Sequence, residues 1–186
     1  MRYVVFDTET PNCRNDRMSQ IGLCVVEDGE ISRARGFLVN PECDFDAFNV
    51  MLTGISPELV YGERSFPELW RDELEDFFSE GVLVAHNAPF DLAVLAKCLA
   101  AYGLSWRRSV RYIDTVRLAR QTFPELPNHR LDTLAWALGL ELEHHDAASD
   151  AVACAGILLR CERRGAALSD FVRSYDLMAR RTEVRR

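Results

Sequence analysis

The sequence predicts an α/β protein built on one mixed, five-stranded sheet flanked by helices. Three observations predict it. Five short apolar runs have the length and residue types of buried strands. Asp28-Gly29 joins two of them with a strong hairpin signal. After residue 66, strand-like runs alternate with segments of helical period, which places helices over a sheet. At 186 residues the chain can bury about 70% of its unfolded surface in one core. A single domain over 1–186 is therefore expected, with a core over about 2–164 and a C-terminal helix and basic tail over 168–186.

Residues 2–8 alternate too little for a half-exposed strand and read as a buried one that ends in polar residues. Residues 19–27 form the second strand, and 30–39 the third, antiparallel to it across Asp28-Gly29. Residues 44–60 are irregular or shortly helical, broken by Gly54 and Pro57. Over 66–79, Phe66, Leu69, Trp70, Leu74, Phe77 and Phe78 recur at helical spacing. Val82–Ala85 is a short buried strand. Asn87 reads as the cap of a helix that runs to about Tyr102 and stops at Gly103. Residues 110–114 make the fifth strand. Helices follow near 115–122, 131–138 and 148–164, and a last one over 168–179.

Composition narrows the function classes. With 48% hydrophobic and 27% charged residues, disordered and coiled-coil readings are excluded. No apolar run approaches the roughly 20 residues of a membrane span, so no membrane partner is expected. The N-terminal apolar stretch is too short for a signal peptide, which predicts a cytoplasmic protein. The six cysteines contain no C-x-x-C pair and read as thiols in a reducing compartment. A net charge of −7 argues against a protein that coats long nucleic acid by counterion release. It permits an enzyme that holds a few nucleotides through bound cations. Arginines cluster at 107, 108, 111, 117 and 120 and again at 180, 181, 185 and 186, as solvated surface or as phosphate-facing groups.

Three segments carry the candidate chemistry. In Asp7-Thr8-Glu9-Thr10 the two carboxylates are two residues apart, hence on one face at the carboxyl end of a strand. In His86-Asn87-Ala88-Pro89-Phe90-Asp91 the aspartate opens a helix after a buried strand. In His144-His145-Asp146-Ala147-Ala148-Ser149-Asp150 a loop histidine precedes the aspartate of an apolar helix. Each alone has a plain explanation: a polar strand end, a favourable helix dipole, a polar loop. Asp114-Thr115 reads as a helix cap, and His129 shows no obvious partner. A zinc site from His144, His145 and Asp146 is disfavoured, because adjacent residues rarely face one ion. Taken together, Asp7, Glu9, Asp91 and Asp150 would repel one another in a shared pocket unless divalent cations offset the charge. All-oxygen ligands favour Mg2+ or Mn2+, and two such ions about 4 Å apart suit displacement at phosphorus. His145 is the candidate general base.

These segments resemble the three exonuclease motifs of the DEDDh superfamily. Residues 2–162 are similar to the proofreading epsilon subunit of bacterial replicative DNA polymerase and its relatives. Ser19-Gln20-Ile21-Gly22, Leu52-Thr53-Gly54-Ile55, Ile113-Asp114-Thr115 and Leu131-Asp132-Thr133-Leu134 support the likeness. The resemblance implies a ribonuclease H-like fold and a 3′-to-5′ exonuclease that trims DNA or short single-stranded oligonucleotides, releasing nucleoside 5′-monophosphates. By motif position, Asp7, Glu9, Asp91 and Asp150 would hold two metal ions beside the base His145. Thr8 and Thr10 would lie near the terminal sugar. Leu52, Thr53, Gly54 and Ile55 would contact or wedge the terminal base, with core packing the alternative for Leu52 and Ile55. Phe90 would pack on the terminal nucleotide and Asn87 would position it. Pro11 departs from the usual loop, and the His144-His145 doublet leaves two imidazoles, of which the four-residue spacing selects His145. The chain ends soon after the core, without a long docking tail, so a DNA polymerase partner is left open. Gln121-Thr122-Phe123-Pro124-Glu125-Leu126 is faintly like a sliding-clamp peptide but lies inside the domain. The alternatives are an exoribonuclease of the ribonuclease T or oligoribonuclease type, an inactive nucleic-acid-binding module, and an endonuclease of the same broad fold.

Overall fold

The central strand β1 (Tyr3–Glu9) alternates its side chains between two apolar clusters. Val4 and Phe6 face one and Tyr3 and Val5 the other. A strand buried on both faces needs helices on both sides, and the computed structural model, which describes residues 1–178, has that arrangement. β2 (Gln20–Glu27) and β3 (Glu30–Leu38) form the expected hairpin. Asp28 at φ 52° and Gly29 at φ 79° make its tight turn.

After β3 come the short helices α1 (Ala47–Thr53) and α2 (Pro57–Val60). The helical stretch from 66 consists of α3 (Phe66–Leu69), a wider π turn (Trp70–Leu74) and α4 (Glu75–Phe78). It buries an aromatic cluster in which Phe78 meets Phe6 edge-on, with ring centroids 5.4 Å apart. β4 (Val82–Ala85), α5 (Ala88–Ala101), β5 (Ser109–Asp114), α6 (Thr115–Thr122), α7 (Leu131–Leu138) and α8 (Ala147–Arg163) follow. The strand order is β3-β2-β1-β4-β5 plus a sixth strand, β6 (Arg173–Asp176). β1, β4 and β5 run parallel; the other pairings are antiparallel.

The sheet thus has six strands, not five. The helix expected over 168–179 is instead a 3-10 turn (Leu168–Phe171) followed by β6. Its helical spacing yields to an open sheet edge. β5 presents unpaired backbone groups, and Arg173–Asp176 satisfies them antiparallel to Ser109–Tyr112. Tyr175 meets Tyr112 edge-on across that pair at 6.2 Å. The basic tail with Arg180, Arg181, Arg185 and Arg186 lies outside the described residues. Cys24, Cys98, Cys154 and Cys161 are buried free thiols, as expected, whereas Cys13 is exposed.

One contact sets the position of α8. Gly22 pairs with Asp7 in the β1–β2 register and with Gly36 on β3. A Cβ on Gly22 would stand 1.8 Å from the Ala147 carbonyl oxygen, and one on Gly36 2.7 Å from Ala148 Cβ. The two glycines therefore let the start of α8 lie directly on the sheet. Gln20 fastens it: its side-chain carbonyl accepts from the Ala147 N–H at 3.0 Å, and its amide donates to Asp146 at 2.9 Å. Gly22→Ala is expected to destabilise the protein by at least the roughly 1–3 kcal/mol of an overpacked core, because the clash is with backbone. Thermal denaturation checks this; an unchanged melting temperature would show that α8 is free to shift.

Candidate active site

The carboxyl ends of β1 and β4 and the first turns of α5 and α8 open on one groove of about 750 Å³. Asp7, Glu9, Asp91 and Asp150 all line it, with both histidines of the doublet. Oxygens of Asp7, Glu9 and Asp150 lie within 4.8 Å of one another. Asp91 stands beside them, its Oδ1 accepting from the Thr8 backbone N–H at 3.1 Å and the Thr8 hydroxyl at 2.9 Å. Asp150 Oδ1 is buried with no protein partner among the described residues.

Burial raises every carboxylate of the set, and mutual repulsion adds to it at Asp7 and Glu9. Burial, then Asp91, Asp150 and Glu9, push Asp7 well above the usual range. Burial, then Asp150 and Asp91, lift Glu9 to about 8. Burial lifts Asp91 to about 7 against the hydrogen bonds from Thr8. Asp150 is also raised by burial, with His144 and the His145 N–H opposing. Both helix N-termini favour anions, by up to about 1 kcal/mol each, and burial outweighs them.

The doublet places both imidazoles at this cluster. His145 Nδ1 lies 3.8 Å from Glu9, and His144 Nδ1 lies 3.3 Å from Asp150 Oδ2. Their rings stack with centroids 4.1 Å apart. His145 takes a left-handed backbone at φ 70°, a conformation uncommon outside glycine and asparagine, which turns its N–H toward Asp150 at 3.3 Å. Burial and His144 lower its pKa, so it is neutral near pH 7.

The remaining expected residues divide. Thr8, Thr10, Leu52, Asn87 and Phe90 line the groove, with Leu52 and Phe90 each 41% exposed. Thr53, Gly54 and Ile55 line a smaller neighbouring cavity of about 310 Å³ that shares His144 and His145. Ile55 is buried, whereas Leu52 is exposed. The Thr53 hydroxyl serves the end of α1, donating to the Asn49 carbonyl and accepting from the Ile55 N–H. Asn87 does not cap α5 through its side chain. It adopts φ 68°, and its backbone N–H donates to Asp114 Oδ1 at 3.1 Å. Asp114 also caps α6 through the Val116 N–H, so the cap reading of Asp114 holds and Asn87 depends on it.

Several groove residues carry no signal of their own in the sequence. His86 bridges the Thr115 hydroxyl at 2.9 Å and the His129 carbonyl at 3.0 Å, tying β4 to the connection before α7. That connection supplies Asn128, His129 and Arg130 to the wall. Of the first arginine cluster only Arg120 lines the groove; Arg107 and Arg111 line a cavity at the opposite end of the sheet. Phe48 and Asn49 of α1 and Asn15 of the loop after β1 complete the lining. Only the folded chain brings these scattered positions together.

A family model described as exonuclease, of the RNase T type, matches residues 4–158. The chain is 38% identical over 159 residues to the PolC-type DNA polymerase III of Clostridium perfringens. It is 33% identical over 161 residues to that of Bacillus subtilis. These matches cover 84% and 85% of this chain but 11% of each relative, so the chain spans about a tenth of their length. Among solved structures, exonuclease X in complex with 5′ overhanging duplex DNA matches with a TM-score of 0.71 at 22% identity, covering 88% of this chain and 92% of that one. A 3′-exonuclease solved for 3′-end specific recognition of a histone mRNA stem-loop matches at 0.74 and 17% identity, covering 92% and 84%. At these identities the structural matches speak to the fold, which is the ribonuclease H-like architecture that the motifs implied. With more than half its length matched, the chain belongs to the RNase T exonuclease family.

Proposed function

We propose that the protein is a divalent-metal-dependent 3′-to-5′ exonuclease that trims single-stranded ends of DNA or short oligonucleotides. The observation that carries this reading is the convergence of Asp7, Glu9 and Asp150 around an unpartnered buried oxygen of Asp150, with Asp91 alongside. Such a set of oxygen donors fits hard cations, and Mg2+ or Mn2+ held by Asp7, Glu9, Asp91 and Asp150 would offset the repulsion. Two such ions, when bound, would supply Lewis acidity to both sides of an in-line displacement at phosphorus.

The chain's own groups do the rest. His145 Nδ1 lies 3.8 Å from Glu9, and Nε2 serves as the basic nitrogen in this reading. Nε2 takes a proton from the attacking water, and the nearby Asp150 favours the imidazolium that results. As the water oxygen bonds to phosphorus the P–O3′ bond breaks, O3′ takes up a proton from solvent, and the terminal nucleotide departs as its 5′-monophosphate. Thr8 holds Asp91 in position. Leu52 and Phe90 offer apolar faces for the terminal base, a contact that tolerates any sequence. Arg120 places positive charge on the opposite wall for backbone phosphates, while Arg130 there pairs with Asp132. A single exonuclease domain, a cytoplasmic setting suited to its free thiols and a polymerase partner belong to this reading, the last because the similar relatives are polymerases. The exoribonuclease alternative is supported by the mRNA-recognising 3′-exonuclease of similar fold.

Three outcomes test the proposal. Asp7→Asn should lower cleavage by roughly 100-fold or more, read on 5′-labelled oligomers that shorten one nucleotide at a time from the 3′ end. The same variant should melt higher than the parent without metal at pH 8, because a buried like charge is gone. Equal cleavage by variant and parent would remove Asp7 from the reaction.

The carboxylates also set a pH dependence. Their folded pKa values lie above the unfolded ones, so their contribution to stability is present below about pH 4 and is lost as pH rises through about 7 for Asp91 and 8 for Glu9. The metal-free melting temperature should fall between pH 5 and pH 8, and Mn2+ or Mg2+ should restore more of it at pH 8 than at pH 5. A metal effect independent of pH would contradict this ligand set.

His145→Ala should cost about 100-fold in rate, while His144→Ala, which removes only a neighbour of Asp150, should be mild. The reverse order would transfer the base to His144.

A further inference from the structure

The Thr10 hydroxyl is already engaged within the protein. It donates to Asn15 Oδ1 at 3.0 Å, and Asn49 Nδ2 donates to the Thr10 carbonyl at 2.8 Å and to its hydroxyl oxygen at 3.3 Å. A carboxamide carries one acceptor oxygen and one donor nitrogen. Each asparagine is therefore half used: Asn15 keeps Nδ2 as a donor, and Asn49 keeps Oδ1 as an acceptor. Neither atom has a hydrogen-bond partner among the described residues, and both residues are only part-buried. Both residues line the groove, bridged by Thr10, the residue that follows Glu9. Asn15 sits in a left-handed backbone at φ 53°, anchored through its N–H to the Asn12 carbonyl. Asn49 is carried by α1.

A spare donor and a spare acceptor on two amides that share Thr10 do not suit a phosphate, which only accepts. They do not suit a base edge either, because an enzyme that must pass every base gains nothing from a fixed pattern of hydrogen bonds there. They suit two neighbouring hydroxyls, each of which both donates and accepts. We propose that Asn15 and Asn49 bind the vicinal 2′,3′-hydroxyls of a ribonucleotide 3′ end, and so favour RNA ends over DNA ends. A deoxy end has one hydroxyl fewer and leaves one amide facing water alone. The inference rests on the exonuclease reading of the same groove and names the sugar that it takes.

The test uses the full chain with Mn2+. Single-turnover rates are compared on short DNA oligomers that differ only in a ribo or deoxy 3′-terminal nucleotide. Affinities for cytidine 5′-monophosphate and its 2′-deoxy form are measured by calorimetry. One added hydrogen bond predicts a preference of about fivefold for the ribo form in both measurements. Asn49→Leu should bring both ratios close to one. Asn15→Gly should do the same, and it keeps the left-handed backbone should the helix variant fold poorly. A ratio of one in the parent, or a ratio retained in both variants, overturns the diol assignment and leaves the exonuclease reading standing. Failure to cleave either oligomer, with no monophosphate bound, overturns the exonuclease reading and the diol assignment with it.

Discussion

The seating of α8 on the sheet is the contact on which the site depends. Gly22 lies opposite Asp7, and where its side chain would stand the Ala147 carbonyl rests. Gln20 then uses both ends of its amide to hold Ala147 and Asp146. Three residues further on, Asp150 reaches the end of β1 and meets Asp7 and Glu9. A helix held even an ångström or two higher would leave these oxygens outside shared coordinating range.

That seating works against the cost of burying carboxylates, to which their repulsion adds. A shift of one pKa unit is about 1.4 kcal/mol, and Glu9 at about 8 and Asp91 at about 7 lie several units above ordinary carboxylates. The cluster is tolerated because the frame beneath it is rigid. Val5 and Phe6, just before Asp7, are wholly buried, and Val84 and Ala85 are wholly buried just before His86. The same feature suits the groove to a cation. Charges that no protein partner neutralises become ligands once a hard ion arrives.

The opposite wall is built by hydrogen bonds rather than packing. Asp114 joins the Asn87 N–H to the first turn of α6, and His86 joins Thr115 to the carbonyl of His129. Two strand ends and the connection before α7 are thus one unit. Asn87 is understood only through this unit. A cap by its own side chain is the local expectation, but an acceptor supplied 27 residues away turns its backbone left-handed instead. The C-terminal segment shows the same priority of distant partners. Leu168, Phe171, Tyr175 and Met178 have helical spacing, yet the exposed edge of β5 draws residues 173–176 into a strand.

Local chemistry was legible where it acts over a few residues. The apolar run into Asp7 and Glu9, the Asp28-Gly29 turn, and the aspartates opening α5 and α8 all follow from strand alternation, turn conformation and helix termini. The four carboxylates and the histidine doublet could therefore be named before any coordinates. Tertiary structure decided what depends on partners far along the chain. It set a sixth strand on an open edge, sent Thr53, Gly54 and Ile55 to a side cavity, and gave the Thr10 hydroxyl to Asn15 so that two asparagines face the groove. The division has one cause: propensity and periodicity are written in neighbouring residues, whereas an unpaired backbone group or half-used amide is satisfied by whichever partner the fold brings within about 3 Å.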